Sequence, residues 1–307
     1  MSKFSKISSA EVMALVRTLG YKENGATIRT DDYMAEVFLS KFMRVMLSFS
    51  SIRSLILAIY AIKLPGGLPY IMAKSRVIDN MLLKALHGDE KPEQLLVLGA
   101  GYDTRSYRFR DQLTNVQCFE IDHPEMIARK RSAMKKFTTA PLHNENELNS
   151  VHYCAADFNG KDNFDLDWLT SQGVDHNKKT LFIIDGLSYF LQAEAFEHLM
   201  KVIALFPENT QVIFDYIYAD ILVGGKRRGS EAFKSSLEKI GEPVSYGLVQ
   251  DDLESYLSQF GFALTDLITP KKLEKEYLTN AKGKSVQPYG FLDIAFIRKC
   301  APHFNEG

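Results

Sequence analysis

The residues that could do chemistry stand at the ends of apolar runs. Leu95-Leu96-Val97-Leu98 leads directly into Gly99-Ala100-Gly101-Tyr102-Asp103-Thr104-Arg105. A continuous apolar run reads as a strand buried on both faces. A Gly-x-Gly turn after it lets backbone approach a ligand closely, because neither glycine has a side chain in the way. A dinucleotide-binding turn would read Gly-x-Gly-x-x-Gly and open a helix. Here the position three beyond Gly101 is Thr104, so the turn suits a nucleoside cofactor without a pyrophosphate better than NAD. Alone, such a turn is a weak signal.

The spacing of acids strengthens it. Asp122 closes the next apolar run, 21 residues after Gly101, where a carboxylate can accept both hydroxyls of a ribose. Glu120 lies one strand period away and is a rival for that role. Asp157 follows Val151-His152-Tyr153-Cys154, where it could accept from an exocyclic amine such as that of adenine, with Phe158 packing on the base. Asp185 follows Thr180-Leu181-Phe182-Ile183-Ile184. One acid of this kind is readily a strand stop or a helix cap. Four strand ends reading Gly, Asp, Asp and Asp fit a nucleoside site better. S-adenosyl-L-methionine suits the set, and its methionine carboxylate needs a cation. Lys74 and Arg76 both precede the first strand; Arg76 is the choice, because a guanidinium can hold a carboxylate bidentately.

These positions need a sheet to line them up. Apolar runs at 95–98, 116–121, 151–154, 180–184 and 211–218 alternate with helical stretches at 125–136 and 193–206. A helix is expected at 253–257, closed by Gly261, and two late strands at 263–267 and 291–297. That pattern means a mostly parallel α/β sheet with an antiparallel C-terminal strand. Before it, Val12, Leu15, Val16 and Leu19 share one helical face, with Gly20 closing the helix, and Thr30-Asp31-Asp32 can cap another. Pro65, Gly66, Gly67 and Pro69 then break the chain ahead of a helix over about 70–86. The polar stretches Gly224–Ser230 and Thr279–Gln287 read as loops.

The composition bounds the rest. With 37 Lys plus Arg against 38 Asp plus Glu, the chain is close to neutral, which argues against a nucleic-acid partner bound by backbone neutralisation. Cys118, Cys154 and Cys300 form no CxxC pair, and no histidine pair has ligand spacing, so no metal is expected. Met1–Lys6 do not lead into a signal-peptide core, and the expected location is cytoplasmic. The run Phe42–Leu64 carries only Arg44, Arg53 and Lys63 as charges. A true span would put Arg53 near the bilayer centre at a cost of about 2.5 kcal/mol or more. The reading taken is a buried pair of cap helices over an apolar pocket, with peripheral membrane contact through 42–64 as the alternative.

At this point the chain resembles the leucine carboxyl methyltransferase-like family of S-adenosylmethionine-dependent O-methyltransferases. That family includes the enzyme that methyl-esterifies the C-terminal leucine of a protein phosphatase catalytic subunit, and bacterial polyketide-type O-methyltransferases. The marks are AKSRVID (73–79), LGAGYDTRSYRF (98–109), FEIDHPEMIARKR (119–131), Ala156-Asp157-Phe158 and IIDGLSYFLQAEAFEHLM (183–200). The resemblance implies a Rossmann-like class I methyltransferase sheet over 70–307, with substrate-side insertions after 218, and an N-terminal helical cap over 1–69. It gives Arg76 the methionine carboxylate, Gly99, Ala100 and Gly101 the cofactor loop, Asp122 the ribose, and Asp157 with Phe158 the adenine. Asp185 stands where the family commonly has glutamate, near the cofactor's amino group. Asp103, Thr104 and Arg105 are expected to lock the loop.

The expected activity is methyl transfer from S-adenosyl-L-methionine to a carboxylate of a small, apolar acceptor, leaving S-adenosyl-L-homocysteine. An ionised carboxylate needs no base, whereas a phenol or alcohol does. Tyr189, Tyr216, Tyr218 and His123 are the candidate acceptor-side residues. A hydroxyl acceptor and a non-catalytic cofactor-binding protein stay open as alternatives, and the oligomeric state is not legible. An NAD-dependent oxidoreductase is disfavoured, since neither Tyr189 nor Tyr216 is followed by lysine at the Tyr-xxx-Lys spacing.

Overall fold

The apolar runs are strands in a computed structural model of the chain, which describes residues 8–23, 29–138, 151–160 and 164–300. The leader reading of Met1–Lys6 lies outside the described residues. Among the described residues seven strands form one sheet: β1 (Gln94–Leu98), β2 (Gln117–Asp122), β3 (Val151–Ala155), β4 (Thr180–Ile184), β5 (Gln211–Ile217), β6 (Phe262–Ile268) and β7 (Leu292–Lys299). Their order is β3-β2-β1-β4-β5-β7-β6. β7 runs antiparallel to both β5 and β6, and the other neighbouring pairs are parallel, as expected. Every residue of β1, β4 and β5 is buried, which is why each reads as an apolar run, broken in β5 only by Asp215. The chain winds outward from β1 to β3, then returns to β4 on the other side of β1. That reversal leaves a crevice beyond the carboxyl ends of β1 and β4.

The helices are α1 (Ser9–Lys22), α2 (Lys41–Met46), α3 (Ser50–Lys63), α4 (Gly67–His87), α5 (Arg105–Arg108), α6 (Pro124–Thr138), α7 (Leu166–Ser171), α8 (Ala193–Ile203), α9 (Ser230–Ile240), α10 (Leu253–Ser258) and α11 (Pro270–Tyr277). Ser8 and Glu11 form a reciprocal capping box that fixes the start of α1. α4 is largely buried and makes the seam between the N-terminal helices and the sheet. It begins after Gly66, whose φ of +90° and closeness to the Pro288 carbonyl leave no room for a Cβ. The axis turns by 104° there between α3 and α4.

Three expectations change. Gly20 does not close α1, which continues to Lys22. A Cβ on Gly20 would lie 3.0 Å from Thr30 and 3.1 Å from Met72, so the glycine serves close packing onto α4. The 42–64 run is not a buried helix pair: neither α2 nor α3 contains a buried residue. α3 turns its Arg53 inward to Glu23 and the Leu47 and Ser48 carbonyls and leaves Leu55, Ile59 and Ile62 outside, the reverse of the usual sidedness. Finally α9 follows the Gly224–Ser230 loop in a stretch to which no element was assigned, although Phe233, Leu237 and Ile240 recur at helical spacing.

Candidate functional site

A cavity of about 1150 Å³ opens at the crevice between β1 and β4. Its floor is the turn after β1, the ends of β2 and β4, and the first turns of α4; its other walls come from α1, α3 and α9. Gly99 and Gly101 both have positive φ, +65° and +43°, so the turn needs glycine there. A Cβ on Gly99 would also meet Leu187 at 2.9 Å, so this close approach is filled by the protein itself.

Asp122 is fixed by that turn. Its carboxylate accepts from the Gly101 N–H and the His123 N–H, each at 2.6 Å. Burial pushes the Asp122 carboxyl above its ordinary range, and the two backbone N–H groups pull it back in part. A carboxylate has about four acceptor sites, so two stay available toward the cavity. The rival Glu120 is fully buried and pairs with Lys130 Nζ at 2.7 Å, outside the cavity wall.

The buried cation on the sheet side of the wall is Lys74. Its Nζ lies 2.7 Å from Asp185 Oδ1 and 2.8 Å from Asp215 Oδ2. Burial works to lower the lysine pKa, but the two carboxylates outweigh it and the ammonium is held charged. Burial likewise works to raise Asp185, yet Lys74 and Arg105 hold its carboxyl well below the usual range. Asp215 is pushed up by burial against the pull of Lys74, and it accepts from the Gly186 N–H at 2.7 Å and the Tyr70 hydroxyl at 3.3 Å. Charges continue outward from this pair. Arg105 joins Asp185 at 3.0 Å, Asp79 at 2.8 Å and Asp103. Arg108 links Asp79 to Asp32, and Arg17 of α1 reaches Asp32 at 2.9 Å. Arg17 also donates to the Tyr102 carbonyl at 2.6 Å, which ties α1 to the glycine turn.

The structure brings Gly99, Ala100, Gly101, Asp122, Asp185, His123 and Tyr189 to the cavity. It does not bring Arg76, Asp157, Phe158, Tyr216 or Tyr218 to its wall. Arg76 is two residues beyond Lys74 and so about 200° around the helix; its guanidinium lies 5.7 Å from the Tyr277 ring centre. Asp157 is exposed and accepts from the Asn159 N–H at 3.0 Å, while Phe158 packs on Phe164. Asn159 in turn bonds the backbone of Phe190 and Gln192, which do line the cavity. The Tyr216 and Tyr218 hydroxyls both donate to buried Asp293, at 2.8 and 2.6 Å.

Lys74, Arg17, Tyr70 and Asp215 are cavity or network residues that the sequence reading passed over or ranked second. For Lys74 the helical phase was available: it stands three residues after Ile71 and four before Ile78, on the buried face of α4. Asp215 was visible as a lone acid inside the apolar run of β5.

The model of the leucine carboxyl methyltransferase family matches residues 10–204. The Bacillus subtilis protein named "Putative S-adenosyl-L-methionine-dependent methyltransferase YktD" is 27% identical over 195 residues, which cover 62% of this chain and 60% of that protein. A Mycobacterium bovis (strain BCG / Pasteur 1173P2) protein of the same description is 26% identical over 228 residues, covering 71% and 67%. The match thus takes in about two thirds or less of each relative's length. A DUF574-family protein from Streptomyces avermitilis superposes with a TM-score of 0.58 over 96% of this chain and 99% of its own, at 11% identity, a likeness of fold. Since the family model spans well over half of the sequence, including the glycine turn and the strand ends that carry Asp122 and Asp185, the chain belongs to the leucine carboxyl methyltransferase family.

Proposed function

We propose that the protein transfers a methyl group from S-adenosyl-L-methionine to an oxygen of a small, largely apolar acceptor. The observation that carries this is the pairing, in one cavity, of the buried Lys74–Asp185 ion pair with the backbone-fixed carboxylate of Asp122. An amino-acid head group bears one carboxylate and one ammonium. Lys74 would hold the first and Asp185 the second, so the role expected of Arg76 passes to Lys74. Asp122 would accept from the ribose, and Asp157 with Phe158, next to the cavity rim, would meet the adenine. The buried network contains five carboxylates (Asp32, Asp79, Asp103, Asp185, Asp215) and four cations (Arg17, Lys74, Arg105, Arg108). Such a balance suits a ligand that is itself cationic.

When bound, the cofactor supplies an electrophilic methyl group on a sulfonium. The protein's own part is to position and to exclude water. Lys74 and Asp185 are held by each other and by Asp215 and Arg105, so little reorganisation is needed on binding. The cavity exceeds the volume of about 300–1,000 Å³ typical of a single small-molecule site, which leaves space for an acceptor. That space faces Val12, Met13, Ile59, Tyr60 and Phe233, with Lys63 and Lys239 at its edge. We take residues 1–69 as its cap.

A carboxylate acceptor is favoured over a hydroxyl. Burial, then the charge of Asp215, raises the Tyr189 phenol far above its ordinary range, so it can donate a hydrogen bond but not act as a base near neutral pH. His123 and Glu242 remain in the wall for a hydroxyl acceptor. Incubation with methyl-labelled cofactor and a panel of apolar acids and phenols tests the reading. A base-labile methyl ester is expected; a base-stable methyl ether moves the assignment to a hydroxyl. No transfer to any acceptor from an extract that contains the natural one would overturn the proposal.

A further inference from the structure

The outer face of α2 and α3 is apolar where a helix facing water is ordinarily polar. Phe42, Val45 and Phe49 are exposed on and just after α2, and Leu55, Ile59 and Ile62 on α3, Phe42 at 71% and Ile62 at 82%. The spacing of Leu55, Ile59 and Ile62 places them on one side of α3, Phe42 and Val45 lie one turn apart on α2, and Phe49 caps the start of α3. The other exposed residues of α3 are Ser50, Ser51, Ser54, Ala58, Ala61 and Lys63. Arg53, the one charge in the middle of α3, is turned inward. Its Nε bonds Glu23 at 2.7 Å, and its Nη1 donates to the Leu47 and Ser48 carbonyls.

The charges left facing outward have one sign. Lys41, Arg44 and Lys63 are exposed and have no ion-pair partner among the described residues. No aspartate or glutamate occurs between Glu36 and Asp79, in a chain whose formal net charge is -1. An exposed apolar stripe with basic residues beside it and no acid matches the chemistry of an anionic lipid surface. A second copy fits less well: a two-fold contact would set the three cations of each copy against the same three cations, with no acid to offset them. Insertion across the bilayer does not fit either. α3 has 14 residues where a span needs about 20, and no single helix among the described residues is long and apolar enough to cross a membrane. The bent pair α3–α4 is long and apolar enough by length and composition, but α4 is turned 104° from α3 and its apolar side chains are buried in the fold.

We propose that the α2–α3 face docks the protein on the surface of anionic phospholipid bilayers, with Phe42, Val45, Phe49, Leu55 and Ile62 entering the headgroup boundary. Ile59, Tyr60, Lys63 and Leu64 of this region also line the cavity, so the docking helix is one wall of the site. The proposal stands whether or not the methyl-transfer reading holds.

Flotation with vesicles tests it. The full chain is expected to float with phosphatidylglycerol–phosphatidylcholine vesicles and to bind phosphatidylcholine vesicles far more weakly, the difference shrinking at high salt. Leu55→Glu with Ile62→Glu should cut binding at least about tenfold, since two charges would enter the headgroup boundary. Lys41→Ala with Arg44→Ala should cut it roughly twenty-five-fold at low salt, at fivefold per basic residue. All four side chains are exposed and outside the cavity wall, so thermal unfolding should stay at the wild-type temperature. Failure to bind anionic vesicles, or binding unchanged in both double variants, would overturn the proposal. A dimer that dissolves in Leu55→Glu with Ile62→Glu, without vesicle binding by the wild type, would assign the face to a second copy instead.

Discussion

The two ends of the cavity are built by different physics. On the sheet side, Lys74, Asp185 and Asp122 are each held by at least two hydrogen bonds or ion pairs, and the glycine turn is locked by its own backbone geometry. On the helix side, Val12, Met13, Tyr60 and Phe233 are only half-buried, Ile59 is exposed, and they present apolar surface to the cavity. The first end is preorganised for one arrangement of charges. The second can adapt its packing to the shape it encloses.

The largest effect should follow from removing the cation that the sheet-side end is built around. Lys74→Met leaves Asp185 and Asp215 buried without their shared partner, a change expected to cost about 3–5 kcal/mol in urea unfolding. A variant as stable as the wild type would dissolve the distinction between the two ends. Next in size, Asp122→Ala is expected to weaken S-adenosylhomocysteine binding by roughly tenfold to a hundredfold, the range of a lost hydrogen bond to a charged group. Calorimetry on the folded variant showing unchanged affinity would take the ribose away from Asp122.

The pH dependence has a definite sign. Asp122 must be ionised to accept from two hydroxyls, and burial raises its pKa in the free protein. Binding below that pKa has to release a proton. Affinity should therefore fall as pH drops through the raised value, by up to about tenfold per pH unit, and level off above it. The fall should begin above the ordinary carboxylate range, and it should be absent in Asp122→Ala. Smaller still are two variants expected to spare the cofactor end. Arg76→Ala removes a half-buried contact with Tyr277, costing about 0.5–1 kcal/mol of stability, and should leave S-adenosylhomocysteine affinity unchanged. Ile59→Ala should alter stability by about 0.5 kcal/mol or less and change the KM of apolar acceptors alone.

The same contrast explains how much could be read from sequence. Strands buried on both faces announce themselves, so β1, β2 and β4 and the residues that end them, Gly99, Asp122 and Asp185, were legible with their positions. The cation was not, because the choice between Lys74 and Arg76 was made on the chemistry of a guanidinium rather than on the phase of α4. That phase settles which residue faces inward: Ile71, Lys74 and Ile78 share the buried side. Glu120 illustrates an ambiguity that alternation leaves. Alternation put it on the same side as Asp122, but only the structure shows Lys130 meeting it inside the fold. α3 was misread for a third reason. Its long apolar run with few charges reads as buried, whereas Leu55, Ile59 and Ile62 face outward and Arg53 turns inward. Tyr216 and Tyr218 look like acceptor contacts at a strand end until Asp293, distant in sequence and neighbouring on β7, is seen to take both hydroxyls.

The most direct test of the charged end uses the unaltered protein and two ligands. S-adenosylhomocysteine and 5′-methylthioadenosine share adenine, ribose and sulfur, and only the first carries the amino-acid head group. Calorimetric titration should show S-adenosylhomocysteine binding at least about a hundredfold more tightly, because the shorter ligand forfeits the contacts to both Lys74 and Asp185. Equal affinities would contradict the assignment of that ion pair to the head group.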